Sequence, residues 1–108
     1  MVKDKKVKEI IVRVIERIKK EYQPEKIILF GSYAYGEPRE ESDIDLFIIK
    51  ETDAKRIDRF CEVRKILRDI CSVSIQPVVF TRDELNHRLK IKDDFILEIM
   101  EKGEVLYG

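Results

Sequence analysis

Two aspartates separated by one residue, Asp43 and Asp45, stand where a charged segment gives way to the apolar run at residues 46–49. That run is typical of a buried strand. Residues two apart on a strand point to the same side, so both carboxylates should face one place while Ile44 turns into the core. Burying carboxylates without partners is costly, and we therefore expect a cationic group to meet them.

A divalent metal ion is the cation that two adjacent carboxylates favour. Their mutual repulsion would raise the pKa of one of them, and Mg²⁺ or Mn²⁺ relieves this repulsion with its preference for oxygen ligands. Bound magnesium keeps positions open for substrate phosphates, so such a pair usually holds a nucleoside triphosphate. The alternative is a solvated strand start, because aspartate is common at the ends of loops.

A glycine-serine turn, Gly31-Ser32, precedes the aspartates and could bind phosphate. Glycine allows a close approach of the backbone, and the amides at a helix start, together with the Ser32 hydroxyl, can hold phosphate oxygens. Ser32 could also act only as a helix cap, and the two roles are compatible. Tyr33 and Tyr35 flank the turn, and we expect them to be partly exposed, either stacked on a base or packed on the helix.

The elements that must position these residues can be read from the hydrophobic pattern. Apolar residues at helical spacing predict a helix over residues 5–21 that ends before Pro24. The apolar run at residues 26–30 predicts a central strand buried on both faces. A short helix at residues 32–35, a polar loop and a second strand at residues 44–49 follow.

Helices and strands also alternate in the second half. We predict a helix over residues 54–71 that crosses over the sheet, followed by a strand over residues 74–80 that is an edge or bulged because of Pro77. A capping box of Thr81 and Glu84 should open a helix from residue 82 to about residue 89. A last helix should run from residue 93 or 94 to residue 102, where Gly103 ends it, and a final extended segment should cover residues 105–107. The core face of the crossing helix is predicted to hold the following residues: Ile57, Phe60, Cys61, Leu67, Ile70 and Cys71.

The whole chain has the composition of a soluble globular protein. Its 108 residues are 44% hydrophobic and 41% charged with zero formal net charge, which predicts a single domain over residues 1–108 without a general affinity for nucleic acid. No membrane span or signal-like core is evident, so we expect a cytoplasmic protein. Cys61 and Cys71 are expected to be reduced packing residues, and His87 a surface residue without a catalytic partner.

The combined motif resembles the nucleotidyltransferase superfamily that includes DNA polymerase beta, and within it the minimal nucleotidyltransferase (MNT) domain. The similarity extends to the TRDEL segment at residues 81–85 and the closing EKGEVLY at residues 101–107. The matching motif residues are Gly31, Ser32, Gly36, Ser42, Asp43, Asp45 and Leu46.

The resemblance implies a polymerase beta-like α+β fold, a small mixed sheet flanked by helices, and Mg²⁺-dependent transfer of a nucleoside monophosphate, AMP from ATP, to a hydroxyl. Asp43 and Asp45 would be the catalytic metal ligands, and Gly31, Ser32 and Ser42 would bind the nucleotide. MNT proteins are often antitoxins that transfer AMP to a tyrosine of a partner HEPN toxin. An exposed edge at Pro77 would also suit association with a partner or a second copy.

Two positions depart from the family pattern. Many members carry arginine where this chain has Tyr35, and Arg39 could substitute for it. Many members also have a third aspartate on the later strand, where this chain has Gln76, a neutral ligand and a poor base. The alternative function is therefore a catalytically weak MNT module that binds nucleotide or neutralises a partner by forming a complex. A transferase for small-molecule hydroxyls is disfavoured because the chain has no spare domain for an acceptor pocket.

Overall fold

Four strands form one mixed sheet with helices on both faces. The fold is that of a computed structural model, which describes residues 4–38, 42–70 and 73–108. The strands stand in the order β3-β2-β1-β4. In chain order the elements are α1 (Lys5–Glu21), β1 (Lys26–Phe30), α2 (Ser32–Tyr35), β2 (Ile44–Ile49), α3 (Arg56–Ile66), β3 (Ile75–Phe80), α4 (Arg82–Lys90), α5 (Asp94–Lys102) and β4 (Glu104–Tyr107).

The two edge strands differ in how they pair with the central strands. β1 pairs antiparallel with both β2 and β4, whereas β2 pairs parallel with β3. The parallel pair requires a crossover, and α3 supplies it. This α+β architecture with a mixed sheet is the predicted fold class.

Two hydrophobic clusters lie on opposite faces of the sheet. On one face α1 and α3 cover alternate strand residues, including Leu29 and Leu46. On the other face α4 and α5 cover the intervening residues, including Phe30 and Phe47. Both central strands are buried on both sides, so they read as continuous apolar runs rather than alternating ones.

The first half of the chain matches the predicted elements. Asp4 caps α1 by accepting hydrogen bonds from the amides of Lys6 and Val7 at 2.8 and 3.3 Å, and the helix ends at Glu21 as predicted. β1, α2 and β2 have the predicted bounds, and β1 is central. No helix in the described ranges is long and apolar enough to cross a membrane.

The prediction for α3 is wrong in both its length and its buried face. The helix covers Arg56–Ile66, and a turn over residues 67–70 replaces its predicted last part. Leu67 is buried and Ile70 packs partly buried against the core, as predicted. The other buried positions, Arg59 and Val63, were not predicted, and Ile57 is 64% exposed. Cys61 is a free thiol, but it is exposed and not a packing residue. The Arg59 guanidinium donates hydrogen bonds to the carbonyl of Val79 in β3 and to Glu84 in α4, contacts that a hydrophobic pattern does not reveal.

The remaining elements follow the prediction more closely. β3 is an edge strand, as Pro77 predicted, and the capping box of Thr81 and Glu84 opens α4. Asp93 caps α5, and β4 adds the opposite edge of the sheet. Cys71 lies outside the described residues.

Candidate active site

The turn after β1 depends on a glycine. Gly31 has φ +76°, a conformation that L side chains rarely adopt. A Cβ at this position would also overlap Oδ2 of Asp45 and lie 3.1 Å from its Cγ. Gly31 therefore lets the chain turn into α2 while the carboxyl group of Asp45 rests against its backbone.

The two aspartates lie at the start of β2 and differ in exposure. Asp43 is exposed, Asp45 is half-buried, and Ile44 between them is buried in the core. On β2, Asp45 lies two and four residues before Phe47 and Ile49, which pack under α4 and α5, so its side chain is on that face of the sheet. Asp45 and Ile44 thus point to opposite faces of the sheet, as predicted, and Asp43 lies immediately before the strand.

The electrostatics of Asp45 favour a cation. Burial raises the pKa of Asp45 above the usual aspartate value, and the negative charge of Asp43 raises this pKa further. Both effects disfavour the ionised carboxyl group. A cation bound between the two carboxylates would offset both penalties.

The neighbouring strands bring two more residues beside Asp45. Phe30, the last residue of β1, is its antiparallel partner, and Gln76 of β3 is its parallel partner. Partners in register on adjacent strands project to the same face. The half-buried Gln76 is therefore next to Asp45.

The helix start at Ser32 presents backbone donors beside the aspartates. The amides of Ala34 and Tyr35 donate to the Gly31 carbonyl at 3.0 and 3.1 Å. The amides of Ser32 and Tyr33 lie at the first helical positions, which have no carbonyl one turn earlier to bond. They are the donors that a phosphate group would use.

Four other residues were singled out in the sequence, and Tyr33, expected to be partly exposed, is buried instead. Tyr33 is 7% exposed and packs in the core under α1, so it cannot stack on a base, whereas Tyr35 is partly exposed at 37%. Ser42 is half-buried immediately before Asp43. Arg39, the predicted substitute cation, lies outside the described residues.

The donor set suits a divalent cation of the magnesium type. Two carboxylates, one of them disfavoured in its free ionised form, and the amide oxygen of Gln76 are the hard oxygen ligands that such ions prefer. Within residues 4–38, 42–70 and 73–108 there is no cluster of three or more His, Cys, Asp and Glu side chains with metal-binding geometry. Bound Mg²⁺ usually keeps several coordination positions for water or substrate phosphates.

Comparison with known proteins decides the family. The family model described as "Polymerase beta, Nucleotidyltransferase" matches residues 13–108. The chain belongs to this nucleotidyltransferase family. A relative in Methanocaldococcus jannaschii named "Putative protein adenylyltransferase" is 36% identical over 99 residues, covering 90% of this chain and 94% of its own. A second protein of that name from the same organism is 32% identical over 114 residues, covering 96% of this chain and 74% of its own.

One aromatic residue near Asp45 was not among the predicted site residues. Phe95, in the first turn of α5, is 47% exposed. Its ring meets that of Phe30 edge to face, with centroids 5.6 Å apart. Because Phe30 is the strand partner of Asp45, a half-exposed ring lies close to the aspartates on their own face of the sheet. The contact between Phe95 and Phe30 could not be inferred from the sequence, because it depends on how α5 packs on the sheet.

Proposed function

We propose that this nucleotidyltransferase transfers AMP from ATP to a hydroxyl group, and that the acceptor is a tyrosine of a partner HEPN toxin, which the modification silences. The observation that carries the proposal is the packing of Asp45 against Gly31, with Asp43 and Gln76 beside it. This arrangement joins a phosphate-binding turn to a pair of metal-binding carboxylates. The names of the relatives support protein as the acceptor class.

The reaction requires few groups because it depends mainly on positioning and on neutralising charge. The acceptor oxygen attacks the α-phosphorus, the bond from that phosphorus to the bridging oxygen breaks, and pyrophosphate leaves with the electron pair. A divalent cation held by Asp43 and Asp45 would supply neutralisation of the phosphate charge. The amides of Ser32 and Tyr33, with the Ser32 hydroxyl, would orient the triphosphate, and Ser42 would contribute beside Asp43.

The hydroxyl proton must leave the acceptor, and the chain offers a weak group for this step. Gln76 stands next to Asp45, where many family members have a third aspartate. An amide can ligate a cation or position a hydroxyl, but it cannot accept the proton as a carboxylate does. The proton would therefore pass to water, and we expect slow transfer.

Gln76 also favours a second candidate function. In this alternative the chain binds Mg²⁺ and ATP and neutralises a partner protein by complex formation, with little or no transfer. The two functions share the nucleotide site and differ in turnover. Labelled AMP appearing on a partner tyrosine, and absent after that tyrosine is changed to phenylalanine, would favour the first function.

Calorimetric titration of ATP with Mg²⁺ tests the site common to both functions. We expect the wild type to bind ATP only when Mg²⁺ is present, and Asp43→Asn/Asp45→Asn to lose this binding. The matched control is Asp53→Asn/Asp58→Asn, which removes the same charge from exposed positions near the start of α3. Wild-type protein that binds no nucleotide, or a control that loses binding equally, would contradict the proposal.

A further inference from the structure

A cleft of about 530 Å³ opens between the end of α3 and the start of β3. It lies on the face of the sheet opposite to the carboxylate of Asp45, because Ile75 points into the α1 and α3 cluster while Gln76 points the other way. Its wall includes Ser74 and the exposed thiol of Cys61. Neither the sequence motif nor the family assignment uses this cleft.

Three positively charged side chains line the cleft. Arg64, Lys65 and Arg68 line it and are exposed. Across the described parts of the chain, no carboxylate lies within ion-pair distance of any of the three. The nearby Asp69 is bound to Arg17 at 2.8 Å. Since the whole chain has zero formal net charge, this concentration is a local feature.

The floor of the cleft is apolar. Leu67 and Ile75 are buried beneath it, and Phe60 and Val73 are partly buried at its sides. The Arg64 guanidinium carbon lies 5.5 Å from the centroid of the Phe60 ring, which places that charge over apolar surface. A bare phosphate would use the charges but not the floor, whereas a peptide with acidic and apolar side chains would use both.

The cleft lies next to the start of β2, where the two aspartates are. The Ser74 carbonyl accepts a hydrogen bond of 2.9 Å from the amide of Ile44, the residue between the two aspartates. The phosphate-binding turn at Gly31 follows β1, on the other side of β2. If the triphosphate occupies the β1 side, an acceptor segment bound in the cleft reaches the aspartates around the end of the sheet at Ser74, because the cleft opens on the other face.

We propose that this cleft binds an acidic peptide segment of the acceptor protein, adjacent to the hydroxyl that receives AMP. The role as an acceptor site rests on the proposed function, but the preference for an acidic peptide rests on the cleft alone. Charge complementarity with Arg64, Lys65 and Arg68 gives the preference for acidic side chains, and the apolar floor gives the preference for a peptide over a bare phosphate.

Fluorescence anisotropy can test the preference directly. The probe is a fluorescein-labelled peptide with one tyrosine flanked by glutamates, compared with the same peptide carrying glutamines and with a single-stranded oligothymidylate of equal charge. We expect the glutamate peptide to bind best, with an affinity that falls as salt is added. Equal binding of the glutamine peptide, tighter binding of the oligothymidylate, or no binding of the glutamate peptide at low salt would overturn the proposal.

Charge-reversal variants locate the binding. Arg64→Glu/Arg68→Glu should weaken binding of the glutamate peptide about tenfold or more. The matched control Lys20→Glu/Lys55→Glu makes the same charge change on exposed lysines away from the cleft, and its effect should stay within about twofold. An equal loss in the control would overturn the assignment to the cleft. If the reversal variant melts early by circular dichroism, Arg64→Gln/Arg68→Gln should still weaken binding about threefold.

Titration of ATP with Mg²⁺ on the same variants separates this proposal from the proposed function. The reversal variant should bind ATP like the wild type, because the cleft and the phosphate-binding turn are on different sides of β2. Failure of the wild type to bind ATP would remove the proposed function and leave the peptide result unaffected. Intact ATP binding without peptide selectivity would remove only the assignment of the cleft.

Discussion

At the scale of single residues, Gly31 is constrained by both its backbone and its neighbour. Its φ of +76° strains any other residue, and a Cβ would overlap the carboxyl group of Asp45. We expect Gly31→Ala to lower the free energy of unfolding by about 1–3 kcal/mol and to abolish Mg²⁺-dependent ATP binding, measured by urea unfolding and calorimetry.

A double-mutant cycle separates the two effects at Gly31. Asp45→Ala removes the atoms that the new Cβ would strike, so Gly31→Ala should cost less stability in that background than in the wild type. Equal costs in the two backgrounds would show that only the backbone conformation matters and that the two residues are not in contact.

Gln76 decides how fast the proposed transfer can be. Gln76→Asp would place a proton acceptor and a third negative ligand beside Asp45. If the protein is a transferase, we expect the rate of AMP transfer to rise about tenfold or more, because general base catalysis typically contributes at least that much. Gln76→Asn is the neutral control and should give no gain. An unchanged rate in Gln76→Asp would contradict the assignment of the base position.

The residue types at the site could be predicted from the sequence, but their surroundings could not. Strand alternation predicted that Asp45 and Ile44 point to opposite faces, and the family pattern singled out Gln76, which lies next to Asp45. By contrast, Tyr33 is buried because α2 packs against the first cluster, and Phe95 is exposed because the orientation of α5 leaves it at the margin of the second. Such outcomes depend on how elements pack, which local patterns do not contain.

At the scale of elements, Arg59 links α3, β3 and α4. It is 6% exposed, and its guanidinium donates to the carbonyls of Ala54 and Val79 at 2.7 and 3.2 Å and to Glu84 at 2.6 Å. Glu84 also accepts from the Thr81 amide at 2.8 Å, as part of the capping box. A hydrophobic pattern assigns arginine to the surface, which explains why the buried face of α3 was mispredicted.

Replacing Arg59 should lower the free energy of unfolding and should also make that free energy less dependent on pH. We expect Arg59→Met to cost about 2–4 kcal/mol, because two carbonyls and the Glu84 carboxylate lose their partner. The exposed Arg56, whose Nε lies 4.0 Å from Glu84, is the control, and Arg56→Met should cost about 0–1 kcal/mol. Urea unfolding of the three proteins measures the difference.

The sign of the pH dependence follows from Glu84. Burial alone would raise its pKa, but the hydrogen bonds from Arg59 and the Thr81 amide outweigh burial and lower the pKa below the usual value. Its contribution to stability is thus present above the pKa of an unfolded glutamate and is lost as pH falls through the folded pKa. Arg59→Met should lose less stability on acidification than the wild type. A steeper loss would contradict this account.

At the scale of the whole molecule, the strand order brings the site together from residues far apart in sequence. Sequence patterns predicted a central β1 and an edge β3, because continuous apolar runs mark buried strands and Pro77 marks an edge. The parallel pairing of β2 with β3 places Gln76 beside Asp45 and the cleft beside Ser74. The cleft could not be predicted, because its charges come from α3 and the following turn, whose conformation differs from the predicted helix.

Metal binding should be visible in the stability of the whole molecule. Since burial and the charge of Asp43 raise the pKa of Asp45, its ionisation disfavours the folded state, and this penalty develops as pH rises from the unfolded pKa through the folded one. In EDTA at neutral pH, we therefore expect Asp45→Asn to have a higher Tm than the wild type. Mg²⁺ should raise the Tm of the wild type and leave that of Asp45→Asn unchanged, because a ligand that binds only the folded state stabilises it. A lower Tm for Asp45→Asn in EDTA would mean that its carboxylate is already compensated within the protein, and the reason to expect a cation there would be lost.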